Sequence, residues 1–250
     1  MKRTVSTVDY IRLADRMLPV ADDKPEAAFL SFHAGHRRRI RSILRALKED
    51  DPSLKGFTLR AGLMPPAGAV VEEEIRGFCR IPYRTVDGSI PSCPGILMHW
   101  KGCPPHSPAV TEMVRLLSGA GSFLIIQFEG SEDSGRQGDI HPFLVRAAQA
   151  LGGEGYSVIE TYACGPCRVC ARGCGTGPEC RQPAKRLFAL EACGFWINAL
   201  CRGAAAFPVC GGGPRPVRWI RDWGLPAQDT RSVRYTTGIL LSYTLLEKVF

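Results

Sequence analysis

The chain has 250 residues, a formal net charge of +8 and 11 cysteines. That length buries a core without covalent staples, so the thiols are not needed as disulfide struts. No apolar stretch approaches a membrane span, and Met1-Lys2-Arg3-Thr4-Val5 leads into Asp9, Arg12, Asp15 and Arg16 without a signal peptide's apolar segment, so a soluble cytoplasmic protein with reduced thiols is expected.

Residues 1–56 read as a helical N-terminal extension. Val8, Ile11, Leu13 and Leu18 precede a break at Pro19, and a second helix is expected from Glu26 to Lys48, ended by the turn residues Asp50-Asp51-Pro52-Ser53. This second helix carries His36-Arg37-Arg38-Arg39-Ile40-Arg41 and Arg45. No aromatic side chains interleave with these arginines to stack on bases, which argues against nucleic acid. A solvated face, or a docking surface for an acidic redox partner along Arg37–Arg45, fits better.

Residues 57–250 read as an α/β, cysteine-rich, metal-binding domain. Phe57 to Leu63 and Ala69 to Arg80 are short and extended in pattern, and the Pro/Gly-rich stretch from Cys79 to Ser107 keeps neither helical nor strand period. Ser107-Pro108 opens a helix to Ser118, with Val110, Met113, Val114 and Leu117 on one face. Ser122 to Phe128 is almost continuously apolar, as in a strand covered on both faces. A helix from His141-Pro142 to Leu151 and a strand from Tyr156 to Tyr162 complete a β-α-β unit, whose strands are expected to be parallel in a small sheet. A further helix is expected from Ala184 to Arg202, and a late strand from Tyr235 to Leu246.

Directly after the second strand the chain reads Cys164-x2-Cys167-x2-Cys170-x3-Cys174, followed by Cys180. The spacing is that of bacterial-type ferredoxins, which hold a cubane iron–sulfur cluster, although Gly175 stands where they carry proline. The loop falls at the carboxyl end of the sheet, where open α/β sheets place ligands. Upstream, Cys79, Cys93 and Cys103 share the irregular stretch, two of them as Cys93-Pro94 and Cys103-Pro104-Pro105. Proline after a ligand cysteine removes a backbone donor and shields a cluster from water.

Two ligand assignments follow. In one, Cys164, Cys167, Cys170 and Cys180 hold one [4Fe-4S] cluster, and Cys79, Cys93, Cys103 and Cys174 hold a second, with the fourth cysteine of the run crossing over as in two-cluster ferredoxins. In the other, Cys164, Cys167, Cys170 and Cys174 close one cluster, and the upstream trio leaves an iron open for a substrate or small anion. Zinc is the inorganic alternative, since it also takes four cysteines at short spacing. Each cubane with its thiolates is a dianion, so two would absorb half of the +8 excess. His99 and His106 flank the upstream thiols as candidate ligands or proton donors. Cys193 and Cys201 share an apolar stripe with Leu190, Ile197 and Leu200 and read as core thiols. Cys210, before Gly211-Gly212-Gly213, is expected in a flexible loop, with contact to a cofactor as the secondary reading.

The set Cys79-x2-Pro82, Cys93-Pro94, Cys103-Pro104-Pro105, Cys164-x2-Cys167-x2-Cys170, Cys180-Arg181-x-Pro183 and Leu190-Glu191-Ala192-Cys193-Gly194 resembles the family of predicted metal-binding proteins called domain of unknown function 2284, over residues 57–246. The resemblance implies a cytoplasmic, cysteine-liganded cofactor protein and supplies no reaction. The chain departs from the family pattern at Phe195-Trp196-Ile197, where residues like Ile-Asp-Val are expected, and in its arginine-rich extension. The leading expectation is an iron–sulfur protein acting in electron transfer or as a redox accessory. Its rivals are an enzyme using an open cluster iron for sulfur or small-molecule chemistry, and a zinc-stabilised interaction module.

Overall fold

The computed structural model describes residues 27–80, 83–85, 88–90, 94–97, 99–130, 137–170, 172–174, 179–216 and 233–245. The first expected helix, around Val8–Leu18, and one candidate ligand, Cys93, lie outside these residues. Helix α1 spans Ala27–Glu49. It buries Phe29, Phe32, Ile40 and Leu44 along one stripe and exposes Arg37, Arg38, Arg39 and Arg45 on the other side. Asp51 accepts from the Ser53 amide at 3.0 Å and closes the turn into strand β1, Thr58–Met64.

Short elements follow: helix α2 (Glu73–Gly77), a separate hairpin of β2 (Tyr83–Thr85) and β3 (Gly88–Ile90), and helix α3 (Pro94–Leu97). The stretch read as extended between Ala69 and Arg80 is therefore partly helical, and the region read as irregular contains a hairpin. Then come helix α4 (Val110–Ser118), strand β4 (Ser122–Gly130), helix α5 (Gln137–Gly153), strand β5 (Tyr156–Ala163), strand β6 (Phe188–Ala189), helix α6 (Ile197–Ala205), strand β7 (Pro208–Cys210) and strand β8 (Val233–Leu245).

These strands form a six-stranded mixed sheet in the order β6-β5-β8-β4-β1-β7. Helices cover both faces. Leu124, Ile126 and Phe128 of β4 pack with residues of α1 and α5, while Phe123 and Ile125 pack with residues of α4 and α6. Opposite faces take alternate residues because the side-chain period of a strand is two. Both being dry, β4 is buried from Ser122 to Phe128.

The expected β-α-β unit exists, but its strands are not neighbours. β8 lies between them, antiparallel to β4 (Ser122↔Leu241 to Gly130↔Val233) and to β5 (Tyr162↔Gly238). β4 and β5 run in the same direction, split by a strand from the end of the chain. The reason is in β8 itself, whose Ile239, Leu240 and Leu241 are fully buried and need cover on both faces and both edges. The parallel pair is β5 with β6, through Tyr162↔Phe188 and Ala163↔Ala189.

The single helix expected from Ala184 to Arg202 is replaced by a 3-10 turn at Pro183–Lys185, strand β6, a second 3-10 turn at Glu191–Cys193 and only then α6. Gly194, at φ +86°, separates the last two, a left-handed turn that no continuous helix admits. The packing of Cys193 and Cys201 is nonetheless as expected, since both are fully buried with Leu190, Ile197 and Leu200. Cys210 is not in a loop near the other thiols. It pairs with Ala61 in β7, at the opposite edge of the sheet from β6.

Candidate metal centre

The cysteine loop leaves the end of β5 and returns as β6. Its first thiol, Cys164, is continuous with the strand: it is 6% exposed and belongs to the same core as Phe143 and Leu144, and burial pushes its thiol well above the usual range. The turn that follows is clamped by His141, a fully buried side chain in the first turns of α5. Its Nδ1 accepts the Arg168 amide at 3.0 Å and its Nε2 lies 3.4 Å from the Cys164 carbonyl. An N–H arriving at Nδ1 leaves the proton on Nε2, so the ring is neutral. Burial, the leading cause, lowers its pKa to about 4.

Beyond the clamp, Cys167, Cys170, Cys174 and Cys180 line one cavity together with Lys101, Gly102, Val169, Gly173, Gln182, Lys185 and Arg186. It holds about 320 Å³ of empty space, its open mouth included. Among the described residues no three of His, Cys, Asp and Glu converge on a single-ion position, and no disulfide joins the described cysteines. The thiols stand around the walls rather than meeting at a point.

Hydrogen bonds already aim at sulfur here. The Cys167 sulfur receives backbone N–H groups from Val169 and Leu187, although burial is the stronger influence and pushes this thiol up. The Gln182 amide donates to Cys170 Sγ at 3.4 Å. Such donors stabilise thiolate, the form that binds metal. No carboxylate stands among the lining residues, whereas Lys101, Lys185 and Arg186 do. By its chemistry the donor set, four thiols with N–H support and a cationic wall, suits a cubane cluster and zinc alike, while the spread of the thiols around the walls is not the convergence that a single zinc ion takes.

Two of the upstream thiols, Cys79 and Cys103, pack together, and the chain just before Cys103 lines this cavity through Lys101 and Gly102. Cys103 is 2% exposed and packs with Cys79, Trp100, Ala189 and Ala192. His99, in the left-handed region at φ +51°, ends α3 and turns the chain so that the Trp100 amide bonds Gly95 O at 3.0 Å. The next residues run against the cysteine loop. A Cβ on Gly102 would stand 2.1 Å from Leu187 O and 3.2 Å from Cys167 Cβ, so only glycine permits this approach. The contact is secured by the Ala189 amide, which donates to Gly102 O at 3.1 Å.

Two site residues carried no strong sequence signal. Glu191 accepts from the Gly165 amide with its carboxylate, its Oε2 is sealed without a partner among the described residues, and burial raises its pKa to about 7. Lys101 is only 5% exposed. Its position two residues before Cys103 was the available hint.

Fold and site together define a mixed α/β protein whose cysteine loops meet at one sheet end around a thiol-lined cavity. The chain belongs to the family described as predicted metal-binding protein (DUF2284), which matches residues 87–214. Cys93, Cys103 and all five thiols from Cys164 to Cys180 fall inside that range, and Cys79 falls outside it. No curated protein and no solved structure matches the chain. No helix of the described residues is long and apolar enough to cross a membrane.

Proposed function

We propose that Cys167, Cys170, Cys174 and Cys180 hold a [4Fe-4S] cluster, and that the protein acts in electron transfer or as a redox accessory. The observation that supports this reading is the lining of one cavity by these four thiols, with N–H donors on two of the sulfurs. Both sequence assignments included Cys164; here Cys174 replaces it in the first and Cys180 replaces it in the second. A thiol sealed among apolar residues resists the deprotonation that ligation requires. When bound, such a cluster supplies one-electron transfer. The chain's own part is to hold the sulfurs, donate N–H groups to them and surround them with cations. Cys79, Cys93 and Cys103 are proposed to serve a second centre beside the first.

Anaerobic purification followed by iron, sulfide and zinc analysis tests the reading. About four irons with equal labile sulfide per chain are expected for the cavity alone, and about eight if the upstream thiols complete a second cubane. Stoichiometric zinc without sulfide, from cells competent in cluster assembly, overturns the cluster reading.

A further inference from the structure

Helix α1 carries a surface that the metal centre does not use. From Ala27 to Glu49 it holds five arginines and one lysine against a single acid, Glu49, so this helix alone supplies a net +5 of the chain's +8. Arg37, Arg38 and Arg45 are exposed, and neither they nor Lys48 form an ion pair among the described residues. Arg41 donates to the Val209 carbonyl, and Arg39 pairs with Glu154 at the other edge of the face. Spaced four, four and three residues apart, Arg37, Arg41, Arg45 and Lys48 form a row about 16 Å long. Small exposed side chains, Ser31, Ala34, Ser42 and Ala46, stand beside them. At Gly35 the backbone is open, with nothing within 4 Å of where a Cβ would stand. The face is low and cationic.

What this face lacks decides its partner. A protein interface is centred on large apolar or aromatic anchors, and the exposed side of α1 offers only Leu30 at its start, since Phe29, Phe32, Ile40 and Leu44 face the core. A membrane takes an amphipathic helix by its apolar side, which here is buried. Single-stranded nucleic acid is held by stacking on aromatics, and none stands among these arginines. A duplex backbone requires only closely spaced cations. The B-form major groove admits a helix, whereas the A-form one is too deep and narrow.

We propose that the Arg37–Lys48 face of α1 is a sequence-independent docking surface for duplex DNA, which it holds by the phosphates. This does not rest on the cluster reading, and α1 lies outside the residues that the family matches.

The test titrates the full chain against a fluorescein-labelled DNA duplex of about 20 base pairs, with anisotropy read from about 50 to 200 mM salt. With Arg37, Arg38, Arg41, Arg45 and Lys48 engaged, log K is expected to fall against log salt with a slope of about −4.5. Arg38→Gln/Arg45→Gln should reduce that slope by about 2 and weaken binding at least about tenfold at the low-salt end. Arg115→Glu, on α4 across the sheet, removes the same net charge and should stay within about twofold of wild type. A duplex of unrelated sequence should bind equally.

No binding by wild type, or an unchanged slope in the α1 variant, overturns the proposal, and an equal loss from Arg115→Glu does so by assigning the binding to net charge. An RNA duplex or a single strand bound as tightly overturns the choice of duplex DNA. Displacement of the duplex by polyglutamate of matched charge transfers the face to an acidic protein. Should the double variant lose the wild-type circular dichroism spectrum, Arg37→Gln/Lys48→Gln is measured in its place.

Discussion

His141 acts on the cysteine turn through its two ring nitrogens, one accepting from Arg168 N and the other directed at Cys164 O. Replacing it with alanine takes this partner from both backbone groups, of which the Cys164 carbonyl is buried, and opens a void. A loss of about 2–4 kcal/mol is expected in urea unfolding of the metal-free protein. Its pH dependence has a definite sign. The pKa falls from 6.5 to about 4 on folding, so between these values the unfolded chain binds a proton that the native ring refuses. The His141 contribution to native stability is therefore full above that window and is lost as pH drops through it, by about 1.4 kcal/mol per pH unit, while Glu191, raised from 4.5 to about 7, contributes with the opposite sign between those values. His141→Gln, which keeps an acceptor and a donor, should remove the first contribution, so that the variant gains stability relative to wild type as pH falls from 6.5 to about 4. A difference between variant and wild type that does not change with pH assigns the acid sensitivity to another group. Cysteines divide in the same way. Cys170→Ala should abolish metal uptake in the cavity, whereas Cys193→Ala should keep full metal content and cost only packing, about 1 kcal/mol. Metal analysis and thermal unfolding of the two variants separate these roles.

At the scale of elements, the decisive contact is between two loops far apart in sequence, the Trp100–Cys103 turn and the Cys164–Leu187 excursion. Gly102→Ala would drive a Cβ against the backbone at Leu187, which cannot rotate away as a side chain can. A loss of about 2–3 kcal/mol is expected, together with weaker metal retention against a chelator. Retention equal to wild type would show that the cavity does not need the upstream loop. This contact also marks where the sequence stopped being informative. Strands β4 and β5 and helix α5 were readable because each is specified by its own apolar pattern. The place of β8 was not, since an apolar run calls for cover without naming the neighbours that supply it. The thiol spacing likewise picked out the loop that lines the cavity. Whether Cys164 belongs to it depends on how far β5 stays in the core, and β5 continues to Ala163 with Cys164 still buried behind it. Helical periodicity over 184–202 failed for a related reason: Leu187 to Leu190 is buried as an edge strand against β5, a tertiary pairing that local spacing cannot report.

At the scale of the whole molecule, the question is where an acidic partner would meet a cluster in this cavity. The arginines of α1 were the natural sequence candidate. Arg39, however, pairs with Glu154 just past the C-terminal end of α5, and His141 holds the cysteine turn from the helix's other end. Thirteen residues of helix separate these points, about 20 Å. Screening at physiological salt weakens exposed charges beyond about 8 Å, so Arg37–Arg39 steer poorly toward the cavity. The cavity has nearer cations: Arg168, Arg172, Arg181 and Lys185 are exposed on its own loop. We therefore expect docking at this rim. With cluster-loaded protein and an acidic bacterial-type ferredoxin as the electron donor, the double variant Arg172→Glu/Lys185→Glu should lower the second-order transfer rate about tenfold at low salt and flatten its salt dependence. Arg38→Glu/Arg45→Glu should change it less than about twofold, because rate losses from charge reversal fall with distance from the contact. Stopped-flow rates over a series of ionic strengths read both effects directly. A larger loss from the α1 pair would return the docking surface to that helix and require electron transfer across the breadth of the sheet.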